Sequence, residues 1–192
     1  MARERGALKN AAFIIYLSES KVLTIAFTTF ISMLQKMDHP DFMKMAVDEA
    51  FLGMRAGEGG PFGAIIDLDG RIIGKGHNTV LKANDPTAHA EVNAIRDACH
   101  RLKSPHLPGA VIYSNFEPCP MCLAAIYWAD IRSLYYSRGR NDAEQIGFMD
   151  KQLYHELSLE EDQRELLTKR LPVAEMEELL EEWRGMEGKK LY

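Results

Sequence analysis

The chain has 192 residues, of which 46% are apolar and 27% charged, and a formal net charge of −5. That is enough for one domain with a buried core plus a short extension, at the composition of an ordinary globular protein. A protein that grips a long phosphate backbone carries a basic surplus, and this chain carries an acidic one, so nucleic acid is not the expected partner. Three cysteines, Cys99, Cys119 and Cys122, include one Cys-x-x-Cys pair. An odd count with that spacing points to metal or thiol chemistry in a reducing, cytoplasmic compartment rather than to a disulfide framework.

Residues 1–36 differ from the rest. Arg3, Arg5, Lys9, Lys21 and Lys36 face only Glu4 and Glu19, which gives +3 locally and leaves −8 for the remainder. Two apolar stretches, AAFIIYL and VLTIAFTTFISML, are separated by SESK. Neither reaches the ~18 to 20 apolar residues of a membrane span, so a membrane is not expected as a partner. No small-x-small cleavage site marks a secretory signal. The segment reads as an N-terminal extension, loosely held or lying upstream of a natural start at Met37. A membrane-surface or partner-binding segment is the alternative. The domain proper is expected over 37–192.

From Pro40 the pattern becomes regular. Asp41 can cap a helix whose apolar positions include Phe42, Met45, Ala46, Ala50, Leu52 and Met54. GEGGPFG ends it. AIIDLDGRIIGKGHN predicts a β-hairpin with an Asp69-Gly70 turn. A second helix is expected over about 88–102, with Thr87 as a candidate cap. AVIYSNF reads as a strand, PCPMCLAAIYWAD as a helix with prolines near its first turn, and IRSLYYSR as another strand. DKQLYHEL and AEMEELLEEWRGM look helical and form a C-terminal segment over 151–192. This order predicts an α/β fold with helices on the faces of a mixed sheet.

The chemistry is concentrated in HAE, His89 to Glu91, and PCPMC, Pro118 to Cys122. Two soft thiolates and one imidazole suit Zn²⁺. Three protein donors leave a fourth tetrahedral position for water, the arrangement of a catalytic rather than a structural zinc. His89, Cys119 and Cys122 are the candidate ligands, and Glu91 the residue that moves protons. Residues two apart on a helix do not share a face, so this requires the metal to lie at the end of a helix.

HAE followed by PCPMC resembles the signature of the zinc nucleobase deaminases. Over about 41–192 the chain resembles bacterial guanine deaminase most closely, in GGPFGAII, GHNTVLKANDPTAHAEVNAIRDAC, EPCPMCLAAIYWA, NDAEQIGF and WRGMEGKKLY. The resemblance implies a three-layer α/β/α, cytidine deaminase-like fold with a central mixed five-stranded sheet. It implies hydrolysis of guanine to xanthine and ammonia, with His89, Cys119 and Cys122 on zinc and Glu91 catalytic. It places Asn78 against the purine, where an amide can both donate and accept, and Asp142 near the substrate, where a carboxylate can accept from guanine N–H groups. Phe62 and Trp128 match pocket aromatics. Tyr192 matches a terminal tyrosine that closes the pocket in a homodimer with exchanged C-terminal segments. Each of these has a plainer reading: a turn residue for Asn78, a cap for Asp142, core packing for Phe62 and Trp128.

The chain departs from that pattern at Asn115-Phe116, at Ser137-Arg138-Gly139-Arg140 and in the acidic stretch before Trp183. Arg138 and Arg140 could meet phosphate or solvent. Adenosine in transfer RNA, or cytosine or a nucleoside, is the alternative substrate. A zinc-stapled, non-catalytic binding module is the alternative of another class, and the intact Glu91 speaks against it. His39, His77, His100, His106 and His155 have no ligand spacing and read as surface or packing residues. Cys99 reads as core.

Overall fold

The computed structural model describes residues 37–191. Tyr192 and the expectations for residues 1–36 lie outside the described residues. In chain order the elements are α1 (His39–Arg55), β1 (Gly63–Leu68), β2 (Arg71–His77), α2 (Val80–Ala83), α3 (Ala90–Leu102), β3 (Val111–Phe116), α4 (Pro120–Trp128), β4 (Ser133–Arg138), α5 (Arg140–Gln145), α6 (Asp150–Ser158) and α7 (Glu175–Gly185).

Local sequence explains most of these boundaries. Helix α1 is capped by Asp38, not Asp41: each carboxylate accepts from the other residue's backbone N–H at 3.2 Å, a reciprocal capping box. Asp41 is the third residue inside the helix, because Pro40 fits the first turn and does not delay its start. Asp69 and Gly70 both have positive φ, 55° and 82°, as a two-residue hairpin turn requires. Thr87 does not cap α3. Its hydroxyl donates to Asp85 at 2.7 Å, and His89 is the cap residue.

The sheet runs β2-β1-β3-β4. β1 pairs antiparallel with both β2 and β3, and β4 is parallel to β3. The mixed α/β class agrees with the expectation, but four strands are present among the described residues rather than five. Beyond β4 the chain forms helices, and in 164–174 Arg164, Glu165, Lys169, Arg170 and Pro172 break any alternation a fifth strand would need. β2, β3 and β4 run in one direction, so their carboxyl ends share one edge of the sheet. The start of β1 lies at that edge too. In such sheets the edge beyond the carboxyl ends is where a ligand crevice forms.

Helix α1 covers one face and α3 the other. On α1, Phe42, Ala46 and Ala50 are buried, and Phe42 stacks on Tyr113 with ring centroids 5.1 Å apart. On α3, Ala90, Ala94 and Ala98 repeat every fourth residue and are fully buried. They join Ile66, Ile112, Ile126 and Ile131 in one cluster. Each buried isoleucine contributes about 1.5–3 kcal/mol.

The small residues let helix and sheet approach closely. A methyl group on Gly76 of β2 would stand 2.6 Å from the Ala94 nitrogen and 2.7 Å from the Ala90 oxygen. Both are helix backbone and cannot turn aside. Gly76→Ala is therefore expected to cost about 1–3 kcal/mol through overpacking. Urea unfolding should show a lower midpoint at unchanged slope; an unchanged midpoint would contradict this packing.

Candidate active site

Helices α3 and α4 begin at the same place. Their N-cap residues are His89 and Cys119, both with extended backbone, φ −72° and −66°. An N-cap side chain ordinarily accepts a hydrogen bond from its own helix. Neither does so here. Both side chains turn instead toward Cys122, in the first turn of α4. Cys119 Sγ lies 3.6 Å and Cys122 Sγ 3.5 Å from His89 Nδ1, and all three donor atoms are within 4.8 Å of one another.

Those spacings test the donor set. A tetrahedral zinc bound at about 2.3 Å to sulfur and about 2.05 Å to nitrogen has sulfur–nitrogen edges of about 3.6 Å. The triad therefore fits zinc in distance as well as in softness. Because His89 precedes the helix, it shares a side with Glu91 at the second helical position, which resolves the two-residue spacing.

The local electrostatics favour a thiolate at Cys119. Cys119 is pulled down to about 4, first by its hydrogen bond with Cys122 and then by His89. Cys122 is pushed up by the same contact and by burial, so one proton serves the pair. The Cys119 contact also raises the pKa of His89. Glu91 is buried at 5% exposure. Burial lifts its carboxyl above the usual carboxylate range. The Ser114 hydroxyl donates to its Oε1 at 3.3 Å, and the Cys122 thiol to its Oε2 at 3.4 Å. A carboxyl held this way, beside the metal donors, is placed to take and to give a proton.

A cavity of about 470 Å³ opens beside this group, at the strand-end edge of the sheet. His89, Glu91 and Cys119 form its floor, with Phe62, Phe116 and Phe148 among its walls. Phe62 meets Phe116 and Phe148 edge to face, with centroids 5.1 and 4.6 Å apart. Asn78 also lines it. It is 4% exposed, its backbone N–H donates to Phe62 O at 3.0 Å, and its Oδ1 accepts from Val80 N–H at 3.1 Å. With one oxygen lone pair engaged, the N–H groups are its main offer to a ligand. Asn115 fixes the neighbouring loop, accepting from Gly63 N–H and donating to Pro61 O, both at 2.9 Å.

The cavity thus gathers His89, Cys119, Glu91, Asn78 and Phe62, and Cys122 lies directly beneath. Asp142 and Trp128 are not brought to it. The Asp142 carboxylate accepts from Gly139 N–H at 3.0 Å and caps α5. Trp128 sits at the end of α4, 67% exposed, in a shallow depression with Tyr127 and Arg132. Among the cavity residues not singled out in the sequence are Phe116, Phe148 and Asp150. Asp150 is a partly buried carboxylate, raised in pKa first by burial and then by the charge of Cys119. In the sequence it looks like any acidic residue in a first helical turn, so only its place in space marks it. Arg140 is engaged by Glu117 at 2.9 Å, and His77 packs between Glu49 and Glu58 at 3.2 and 2.9 Å. Among the described residues no helix is long and apolar enough to cross a membrane.

Residues 36–138 match the profile of the cytidine and deoxycytidylate deaminase zinc-binding region. The chain is 44% identical to guanine deaminase of Bacillus subtilis (strain 168) over 156 residues, 81% of this chain and 100% of that protein. The X-ray structure of guanine deaminase from Bacillus subtilis superposes with a TM-score of 0.78, over 81% of this chain and 99% of that one. Similarity to the tRNA-specific adenosine deaminase of Agrobacterium fabrum is 50% over 97 residues, which is 50% of this chain and 62% of that protein. A zinc-matched triad, a buried glutamate beside it and this kinship together lead to one conclusion: the chain belongs to the cytidine and deoxycytidylate deaminase zinc-binding family, as a zinc-dependent hydrolytic deaminase.

Proposed function

We propose that the protein hydrolyses guanine to xanthine and ammonia. The observation that carries this reading is the cavity itself, where an apolar slot of three phenylalanines holds a buried glutamate, an amide and a second carboxylate around the zinc triad. Its similarity to a guanine deaminase along 81% of the chain supports the choice of base.

His89, Cys119 and Cys122 hold the metal. Zinc, when bound, lowers the pKa of a water at its open position. Glu91 would take one proton from the attacking water and give it to a ring nitrogen, then take the second from the hydroxyl formed at the ring carbon and give it to the departing amine. A carbon–oxygen bond forms at the ring carbon, the carbon–nitrogen bond breaks, and the amine leaves as ammonia. The phenylalanines hold the ring plane and exclude water. Asn78 N–H groups donate to acceptors on the base. Asp150 takes the role that the sequence pattern suggested for Asp142, accepting from ring N–H groups, since it lines the cavity, whereas Asp142 caps α5 and the cavity's Glu117 is paired with Arg140.

The domain over 37–192 is the deaminase, in the cytoplasm, where cysteines such as these stay reduced. We further propose a homodimer. Leu166, Leu171 and Leu179 are exposed at 74%, 86% and 58% in the C-terminal segment, which suits packing on a second copy. Exchange of that segment would let Tyr192 close the partner's cavity, and the exposed Trp128 would be covered in such an assembly.

Zinc-loaded protein should form xanthine and ammonia from guanine, and no ammonia from cytosine, adenine or an anticodon RNA. Turnover of the RNA instead would replace guanine by adenosine in transfer RNA. Glu91→Gln should keep its zinc and lose about 10²–10⁴-fold in kcat, whereas Cys119→Ala should lose the metal; normal turnover by the first or full zinc in the second would remove the assigned role. Asp150→Asn should lower kcat/KM for guanine by about 10–100-fold, the value of a charged hydrogen bond. An unchanged kcat/KM would exclude Asp150 from base recognition.

A further inference from the structure

We propose that Tyr154, Arg140 and Glu117 form a clamp that sets the position of the Cys119 loop relative to Asp150. This rests on the reading that Cys119 binds zinc and Asp150 the base. Tyr154 and Arg140 are positioning residues, with no contact to the reacting atoms.

Cys119 lies between Pro118 and Pro120. Neither proline has an N–H, so this loop has few hydrogen bonds of its own with which to fix a ligand. Pro118 is fully buried, and its carbonyl needs a donor. The Tyr154 hydroxyl supplies one at 2.9 Å. Tyr154 is four residues after Asp150 on α6, one helical turn away. One hydrogen bond therefore joins the helix that carries the cavity carboxylate to the loop that carries a zinc ligand.

Arg140 holds the tyrosine from above. Its guanidinium lies 4.2 Å from the centre of the Tyr154 ring. Its Nε pairs with Glu117 Oε1 at 2.9 Å, and its backbone N–H donates to Glu117 Oε2 at 3.2 Å. Glu117 N–H in turn donates to Arg138 O at 2.7 Å, extending the β3/β4 ladder to the residue before Pro118. The two residues that lead into Cys119 are thus tied down, Glu117 to β4 and Pro118 to α6. An arginine in this place, which the sequence leaves free to meet phosphate or solvent, is committed to an internal contact.

The test uses the full chain, zinc-loaded, as Tyr154→Phe and Arg140→Met. Zinc release to excess chelator is measured without substrate, and kcat and KM are measured with guanine. Tyr154→Phe removes only the hydroxyl, so the ring still packs. It should release zinc about tenfold faster, at the low end of what losing a metal ligand's supporting contacts does. KM for guanine should rise about fivefold with kcat within about twofold, since Asp150 shifts while Glu91 does not. Arg140→Met should move both quantities the same way, and Arg140→Lys should recover part of the loss. Wild-type zinc release in both Tyr154→Phe and Arg140→Met would overturn the clamp. If the parent protein does not turn over guanine, the substrate reading fails, while the release rates still decide the clamp.

Discussion

Everything at this site follows from two helices that start at one point. The N-termini of α3 and α4 bring their positive ends together, and their cap positions are filled by a histidine and a cysteine. Serine, threonine or aspartate would stabilise either helix by about 1 kcal/mol. That stability is forgone, and the two cap side chains lie 3.6 Å apart with Cys122 Sγ 3.5 Å from the imidazole, edges that fit a zinc tetrahedron. The positive end of α4 also favours a thiolate at its cap residue, Cys119, so the same geometry positions that donor and prepares it.

The sheet makes this convergence possible. The carboxyl ends of β2 and β3 lie at the same edge; β3 leads directly into α4, and β2 leads by way of the short α2 into α3. Asn78 follows β2, Phe116 ends β3, and Phe62 precedes β1, so the cavity walls are extensions of the strands. Close packing of α3 on β2, through alanines on one side and glycines on the other, fixes the height of Glu91 above the sheet. Glu91 is buried because its helix is pressed against glycine, and burial is what lifts its pKa. Packing and proton chemistry here have one cause.

Much of this was legible in the sequence. The hairpin, the strands and most helices follow from apolar periodicity and turn residues, and HAE with PCPMC contains, by type and spacing, the three side chains that the fold brings together as a group able to hold a metal. The residues that escaped did so for physical reasons. Asp150 resembles any helix-start acid, and Phe116 and Phe148 any core aromatic, because a cavity is made by distant segments whose meeting is not encoded locally. Asp142 follows the family pattern in sequence yet spends its carboxylate on a helix cap. The five-stranded sheet came from resemblance alone. Among the described residues there are four strands, and charge with Pro172 interrupts the stretch after them. Asp41 lies just before the apolar repeat and so resembles a cap, but Pro40 lets the helix begin at His39, with Asp38 as its cap.

Zinc-edge X-ray absorption of the zinc-loaded protein tests the three-donor site most directly. The expected shell has two sulfurs at about 2.3 Å, one imidazole nitrogen at about 2.0–2.1 Å and one further light atom. A third sulfur, a second imidazole or a shell without sulfur would contradict it, because each removes the open position on which the deamination chemistry depends.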